Sequence, residues 1–212
     1  MLKQVRAEQT RDAIVRGAAE AFDKHGFVGA TLGDVTTYAE VTKGAVYFHF
    51  RSKEELARAV IERQHEVSIE QARAFLQRDE PAMASVILLT QWMVRQLMQD
   101  PVARAGVRLT LESGTFLNPT PNPYEEWVGV TEQLLERAIA EGDARLPLAP
   151  LNVAWHITAT FIGVQMMSQV LAGREDLQLR IRQMWELLLP TLVPDHKLAS
   201  FRSIAMNEYE TG

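Results

Sequence analysis

A cluster of hydrogen-bond donors lies near the end of the first quarter of the chain. Thr42, Lys43 and Gly44 follow one another, and Tyr47 and His49 come soon after them. Ammonium and hydroxyl groups bind phosphate oxygens, and a glycine allows a ligand to approach the backbone closely. These residue types therefore indicate binding of a phosphate-rich ligand.

Residues that could carry out catalysis or hold a metal are not arranged for it. The chain has no cysteine, which excludes thiolate nucleophiles and Cys-type metal sites. Its five histidines lack metal-ligand spacing, and no G-x-S-x-G, P-loop, G-x-G-x-x-G or H-E-x-x-H motif is present. We predict no catalytic residue, no metal and no cofactor. A helical enzyme or an interaction adaptor is the alternative to a binding protein.

Charge is distributed unevenly along the 212 residues, although the formal net charge is −5. Residues 1–53 hold eight Lys or Arg against six Asp or Glu, whereas the other 159 residues hold 14 against 21. A basic segment attracts a phosphate backbone even when the whole chain is acidic. The charge asymmetry therefore suggests two functional regions, and we predict one domain over 1–52 and a second over 53–212.

Helical periodicity dominates the chain, and strand-like alternation is sparse. Ser52 with Glu55 forms an S-x-x-E capping box, which predicts a long helix over 53–78. No stretch of about 18 apolar residues occurs, and the N-terminus has no apolar segment typical of secretion. We predict an all-α, cytoplasmic protein without a membrane partner.

Three short helices are predicted in the first 50 residues. Gly26 ends the first helix, and a capping box of Thr31 with Asp34 begins the second. Only Glu40 and Val41 remain for a turn before the third. Helices joined by so tight a turn form a helix-turn-helix, whose second helix enters the DNA major groove. The predicted helices are Val5–His25, Leu32–Ala39 and Thr42–Phe48.

Three motifs in this region, T-L-x-D-V, A-x-V-T-K-G-A-V-Y-F-H-F and S-K-E-E-L, resemble the DNA-binding domain of TetR-family transcriptional repressors. The resemblance implies a homodimer with recognition helices about 34–36 Å apart that reads a pseudo-palindromic operator. Family members usually have glycine where this chain has Glu40, so a positive φ there would cost about 1 kcal/mol. The DNA-contacting residues that the resemblance implies are Arg6, Thr31, Thr42, Lys43, Gly44, Tyr47, His49 and Lys53.

Aromatic residues at the end of the third helix have two possible roles. Phe48 and Phe50 are expected to pack in the core of the domain, whereas Tyr47 is expected to touch phosphate. Lys43 and Lys53 each stand at a helix N-terminus, a position that favours binding of anions. Their placement favours contacts to DNA over the alternative of ordinary surface lysines.

The second region is predicted to contain further helices and one long loop over Ser113–Pro123, which is rich in proline. Isolated polar and aromatic residues interrupt its apolar helical faces. Such a composition is typical of a small-molecule pocket, but it is also what a helical core looks like. The residues concerned are Trp92, Phe116, Trp127, Trp155, Thr158, Thr160, Phe161 and Gln165.

Three segments of this region resemble the γ-butyrolactone receptors, a subgroup of the TetR family: D-P-V-A-R-A-G-V-R-L, N-P-Y-E-E-W and M-W-E-L-L-L-P-T-L-V-P. Those receptors repress antibiotic-biosynthesis genes until a diffusible lactone or butenolide hormone arrives. The resemblance implies that Trp127 contacts the hormone, with an anchoring role for its helix as the alternative. The ligand set predicted from this resemblance and from periodicity is Trp127, Thr160, Gln64, Leu88, Trp92, Phe161 and Val164.

The last two large helices are expected either to form a four-helix dimer interface or to close an internal core. Their apolar residues are Phe161, Val164, Met167, Val170 and Leu171, followed by Met184, Trp185, Leu188 and Leu192. The sequence leaves two alternatives for the effector, namely another apolar ligand or none, as in a pseudo-receptor.

Overall fold

The structure is a computed structural model that describes residues 2–112 and 123–207. This part of the chain forms ten α-helices and no β-strand, which confirms the all-α prediction. None of its helices is both long and apolar enough to cross a membrane. The predicted loop over Ser113–Pro123 lies outside the described residues except for Pro123. The helices are α1 (Leu2–Gly29), α2 (Leu32–Tyr38), α3 (Lys43–His49), α4 (Lys53–Leu76), α5 (Ala82–Gln99), α6 (Pro101–Glu112), α7 (Pro123–Ala140), α8 (Pro150–Ala172), α9 (Leu177–Leu192) and α10 (Asp195–Met206).

Side-chain caps begin the helices where the sequence predicts them. The Asp34 N–H donates to Thr31 Oγ1 at 3.2 Å, and the Thr31 N–H donates to Asp34 Oδ2 at 2.8 Å, which completes the box before α2. Before α4 the Glu55 N–H donates to Ser52 Oγ at 3.2 Å, but the Glu55 carboxylate accepts from the Arg51 N–H at 2.7 Å. The expected second bond of that box is therefore replaced by one to the preceding residue, and α4 still begins as predicted.

Several predicted helix bounds are wrong by one to four residues: α1 spans Leu2–Gly29 rather than Val5–His25, α2 ends at Tyr38 rather than Ala39, and α3 spans Lys43–His49 rather than Thr42–Phe48. The helix α4 ends at Leu76 rather than at Arg78. The helix α9 begins only at Leu177, because Gly173 and Arg174 have φ values of 57° and 71°. These left-handed conformations terminate α8, and no α-helix can run through them.

Close contacts divide the chain into two compact units. Unit 1 is Met1–Ser68 with Gln99–Pro121, and unit 2 is Ile69–Met98 with Asn122–Gly212. The helix α6 therefore belongs with α1, α2 and α3, and α4 contributes residues to both units. This division follows physical contacts and differs from the functional division at residue 52, which stays a prediction.

Unit 1 has a continuous apolar core to which all five of its helices contribute. Phe22 from α1 and Val35 from α2 are almost fully buried, as are Val46 from α3 and Leu56 from α4. Leu109 from α6 completes this core with no exposed surface. The helix-turn-helix is therefore held by α1, α4 and α6 rather than by its own contacts.

The apolar face of α9 was predicted to form either a dimer interface or an internal core, and it is buried within unit 2. Trp185 is fully buried, and its indole Nε1 donates to Thr90 Oγ1 at 2.8 Å. Met184 and Leu192 are also buried, so these residues belong to the core. On α8, by contrast, apolar side chains of the predicted interface remain exposed, namely Met167, Val170 and Leu171.

The helices α1 and α2 approach each other at Gly17, where a Cβ atom would lie 2.5 Å from the backbone nitrogen of Ala39. We expect Gly17→Ala to lower the free energy of unfolding by about 1–3 kcal/mol, because the backbone at the end of α2 must move. Chemical denaturation measures this change. Gly33→Ala is the matched control, since a Cβ there meets only Thr31 Oγ1 at 3.4 Å. Equal losses in both variants would contradict the explanation.

Candidate nucleic-acid interface and ligand site

The turn between α2 and α3 contains a non-glycine residue, Glu40, with a positive φ. Glu40 has a φ of 52°, in the left-handed region where an L-residue is strained. The Val41 N–H donates to Thr36 O at 3.2 Å, which closes the turn after α2. Glu40 therefore adopts the positive φ that the glycine of other family members would accommodate.

The helix α3 is amphipathic over only seven residues. Its buried side is Val46, and Phe50 at its C-cap is buried as well. Thr42 is the N-cap, and its hydroxyl oxygen accepts from the Ala45 N–H at 3.2 Å. This arrangement leaves the opposite side of α3 exposed to solvent.

The exposed side of α3 presents most of the predicted DNA-contacting residues together. Lys43 and Gly44 are exposed, and the Tyr47 side chain is 58% exposed. His49 is half-buried. The first turn of α3 holds no acidic residue, so the charge at its N-terminus is positive. A surface of this kind is suited to phosphate and base edges.

Phe48 departs from the expectation that it packs in the core. Its ring is 81% exposed and stands edge-on to the His49 ring, with 5.0 Å between centroids. Phe50 is buried as expected, and the Arg11 guanidinium lies 5.3 Å from its ring centroid. Because Val46 and Phe50 are four residues apart and face the core, Phe48 between them must point away. That spacing was the available signal for an additional surface aromatic residue.

Thr31 and Arg6 are also exposed in unit 1. The Thr31 hydroxyl donates to Asp34 Oδ2 at 2.7 Å, so it is already engaged in the cap of α2. These hydrogen bonds lower the pKa of Asp34 from its ordinary value, because they favour the charged carboxylate. A contact from Thr31 to DNA would share a hydroxyl that already serves the helix cap.

Lys53 does not extend freely into solvent. Its ammonium donates to Val28 O at 3.1 Å and to Ala30 O at 2.8 Å. It also lies 4.8 Å from the centroid of the Phe27 ring, in a cation–π arrangement. Lys53 is thus placed differently from Lys43, although the sequence grouped them together.

The predicted ligand residues fall in both units. Gln64 is buried in unit 1, where its amide Nε2 donates to Ser68 Oγ at 3.2 Å. Its Cβ and Cγ atoms press against Gly106 of α6 so closely that no Cβ fits there. Gln64 therefore has a packing role within unit 1.

The other six ligand candidates lie in unit 2 and differ in burial. Trp92 is buried, with 8% of its surface exposed. Thr160 is exposed, and its hydroxyl donates to His156 O at 2.7 Å. The expectation that Thr160 supplies a donor to a buried ligand does not fit this position, since the residue lies on the outer side of α8. The half-buried candidates are Leu88, Trp127, Phe161 and Val164.

A cleft of about 560 Å³ lies between α7 and α8 and contains none of these candidates. Trp155, noted in the sequence but not assigned to the ligand, is exposed at this cleft. Tyr124, from the motif that also contains Trp127, lies at the same cleft and was not predicted. The lining residues are Tyr124, Glu125, Val128, Gly129, Glu132, Leu151, Trp155, Thr158, Ala159 and Ile162.

Burial raises the pKa of Tyr124 to about 12, because the phenolate loses hydration in the folded protein. In the unfolded chain a tyrosine titrates near about 10. The folded state therefore keeps a proton that the unfolded state has lost, and the free energy of unfolding falls as pH rises from about 10 to about 12. Below that window Tyr124 contributes no pH dependence.

An ultraviolet titration tests this assignment among the four tyrosines of the chain. We expect a phenolate absorbance step near pH 12 that is absent from Tyr124→Phe. Loss of a step near about pH 10 from that variant would show instead that its phenol is hydrated.

Both halves of the chain match models of known protein families. Residues 14–60 match the tetR family of bacterial regulatory proteins, and residues 81–194 match the tetracyclin repressor-like C-terminal domain. The A-factor receptor protein of Streptomyces griseus is 37% identical over 193 residues, which cover 91% of this chain and 67% of that protein.

Two solved structures are similar over nearly the whole chain. The TetR-family protein CprB from Streptomyces coelicolor, in complex with its biological operator sequence, has a TM-score of 0.85 at 33% identity and covers 97% of this chain and 100% of that one. An ArpA-like γ-butyrolactone receptor has a TM-score of 0.81 at 33% identity and covers 94% and 96% of the two chains. Together with the exposed recognition helix, these similarities show that the chain belongs to the TetR family of bacterial regulatory proteins.

Proposed function

We propose that this protein is a ligand-responsive transcriptional repressor. It binds a pseudo-palindromic operator as a homodimer and is released by a diffusible hormone of the γ-butyrolactone or butenolide type. The genes that it controls belong to antibiotic or other secondary metabolism, and it acts on them in the cytoplasm. The observation that carries this proposal is similarity over both halves of the chain to the A-factor receptor and to γ-butyrolactone receptors.

The DNA-binding part of the proposal is supported by the surface of α3. Lys43, Gly44 and Tyr47 are exposed on one side, while Val46 and Phe50 anchor the helix in unit 1. The similarity to an operator-bound protein extends over 97% of the chain. We assign base and phosphate contacts to the exposed side, with the aromatic rings of Tyr47 and Phe48 suited to the backbone and to thymine methyl groups.

The dimer is supported by an apolar surface on α8 and α9. Val170 and Leu171 are 78% and 74% exposed, and Leu187 on α9 is 77% exposed. Exposed side chains of this size at helical spacing are typical of a helix-bundle interface. Leu179 adds to the α9 part, which consists of different residues from those that the sequence offered.

The hormone is assigned to unit 2, with Trp127 as its principal contact. Trp92, Leu88, Phe161 and Val164 supply the apolar surroundings. Gln165 replaces Thr160 as the polar partner on α8, because its side chain is 3% exposed whereas Thr160 faces outward. Burying a lactone carbonyl without a hydrogen-bond donor would cost about 1–3 kcal/mol of binding free energy. A single buried amide that donates to this carbonyl therefore affects which ligands bind.

Release from DNA follows from a difference in affinity between two states of the dimer. The helix α4 is continuous from unit 1 into unit 2, so a tilt imposed in unit 2 reaches the DNA-binding residues. A dimer with the wrong spacing between recognition helices loses one half-site. A complete switch of the population requires about 5.5 kcal/mol of differential binding by the ligand.

A second candidate is a TetR-type repressor that answers another apolar ligand, or a pseudo-receptor without a hormone response. The cleft between α7 and α8 supports this second candidate. Its volume suits a small molecule, and none of the assigned hormone contacts lines it. Ligand tests distinguish the two candidates.

Replacing Lys43 and Tyr47 together by alanine tests the DNA-binding surface. We expect the double variant to lose its electrophoretic shift with DNA from upstream of its own gene, because exposed contacts are removed without disturbing the core. Arg145→Ala is the control, since it removes a charge from unit 2 whose side chain is 70% exposed. Unchanged DNA binding by the double variant would refute the assigned surface.

Trp127→Ala tests the ligand assignment in the same shift assay. An organic culture extract containing butanolide-type compounds, and then a pure γ-butyrolactone, should release the wild-type protein from DNA. We expect Trp127→Ala to bind DNA but to resist release, because the largest apolar contact to the ligand is lost. Trp155→Ala is the matched control at the α7–α8 cleft. Resistance in Trp155→Ala alone would place the ligand in that cleft, and a wild-type shift indifferent to both additions would favour the pseudo-receptor.

A further inference from the structure

The connection between α4 and α5, residues 77–81, is held at both ends by two side chains of α7. Arg137 Nη1 donates to Leu76 O at 2.9 Å, and Arg137 Nη2 donates to Glu80 O at 2.8 Å. Glu141 Oε2 accepts from the N–H of Ala82, the first residue of α5, at 2.7 Å. All five residues belong to unit 2, although α4 begins in unit 1. The helix α7 therefore fixes the point at which α4 ends.

These contacts satisfy backbone groups that helix ends leave without intrahelical partners. Arg137 places a cation at the C-terminal end of α4, and Glu141 places an anion at the N-terminal end of α5, which are the signs that the helix dipoles favour. Arg137 Nε also lies 3.0 Å from Glu141 Oε1, so these two side chains of α7 orient each other. Arg137 and Glu141 together form what we call the α7 clamp.

The α7 clamp is less exposed than a second polar contact between the same two helices. The side chains of Arg137 and Glu141 are 29% and 34% exposed. Arg73 Nη2 of α4 lies 3.0 Å from Glu126 Oε2 of α7, but these side chains are 66% and 48% exposed. An exposed ion pair is weakened by water and salt, and it orders two long side chains for little gain. The α7 clamp is therefore the stronger of the two contacts.

The helix α7 also carries Trp127, the principal hormone contact of the proposed function. Arg137 follows Trp127 by ten residues within α7, a distance of about 15 Å along the helix axis. Helices move largely as rigid elements, because backbone hydrogen bonds tie each turn to the next. A ligand that displaces α7 at Trp127 therefore displaces the end of α4 as well, provided that the clamp joins them.

We infer that the α7 clamp couples hormone binding to α4, with Arg137 as the positioning residue. Arg137 is assigned no contact with the hormone or with DNA. It acts by holding the Leu76 end of α4, so that a displacement of α7 becomes the tilt of α4 that releases the operator. The inference rests on the proposed function and names the side chains that carry its release step.

The test compares Arg137→Met with Arg145→Met, which removes the same charge from a side chain that is 70% exposed. Operator affinity is measured on duplex DNA from upstream of the gene, with and without a pure γ-butyrolactone. Coupling between two sites typically changes affinity by about 5- to 150-fold. We expect the wild-type protein and Arg145→Met to fall in that range, and Arg137→Met to bind both ligands with coupling below about threefold.

Reciprocity separates coupling from a merely structural role. Linkage requires the operator to change lactone affinity by the same factor as the lactone changes operator affinity. Fluorescence of the four tryptophans measures lactone affinity with and without the duplex. A structural role would lower the free energy of unfolding and leave this factor unchanged. Arg137→Lys keeps the charge but not the planar fork, so it should restore part of the coupling, and it serves if Arg137→Met does not fold.

A distance measurement provides a readout that needs no lactone. The chain has no cysteine, so Asp12→Cys on the exposed side of α1 accepts a single nitroxide label in each protomer. Double electron–electron resonance then gives the distribution of distances between the two labels of the dimer. We expect Arg137→Met to broaden this distribution, because the end of α4 is no longer fixed, and Arg145→Met to leave it unchanged.

An unchanged coupling factor in Arg137→Met would overturn the inference, whatever the label distances show. A wild-type protein that binds the duplex but is not released by the lactone would contradict the hormone part of the proposed function instead. In that event the label distances decide, and an unchanged distribution in Arg137→Met would show that the α7 clamp does not position α4.

Discussion

The DNA-binding surface depends on burial of one side of a helix that is too short to be stable alone. An isolated helix of seven residues does not persist in water, since nucleation costs more than so few hydrogen bonds return. Val46 and Phe50 insert into a core built from α1, α2, α4 and α6, and this burial keeps α3 helical. The outward direction of Lys43, Tyr47 and Phe48 is a geometric consequence of that anchoring.

The same constraint explains why α6 belongs to unit 1 although it is distant in sequence from α1. Arg104 Nε donates to Asp23 Oδ2 at 2.6 Å, and Arg108 bonds the backbone of the same residue. Gly106 lets α6 press against Gln64 of α4. The three-helix domain that the sequence predicts is therefore completed by a fourth and a fifth helix, and both of these helices adjoin residues of unit 2 along the chain.

Polar residues that look equivalent in the sequence differ in the hydrogen-bond partners that the fold gives them. Lys43 is exposed, whereas the Lys53 ammonium donates to two carbonyl oxygens and lies beside an aromatic ring. Thr160 bonds its own helix at the surface, while Gln165, five residues further along α8 and on another side, is buried. Residues of one type thus have different surroundings in the fold, because a buried polar group must find a partner within the protein whereas an exposed one is hydrated.

The sequence by itself determined the helical class, most helix starts and the helix-turn-helix, because caps such as Thr31–Asp34 and periodic apolar residues act within a few positions along the chain. It also indicated the strained turn at Glu40. Only the tertiary structure decided that Trp185 lies in the core, that Phe48 is exposed and that Lys53 donates to the carbonyl oxygens of Val28 and Ala30. Each of these outcomes depends on residues far away in sequence, and periodicity shows that a helix has an apolar face without showing what covers it.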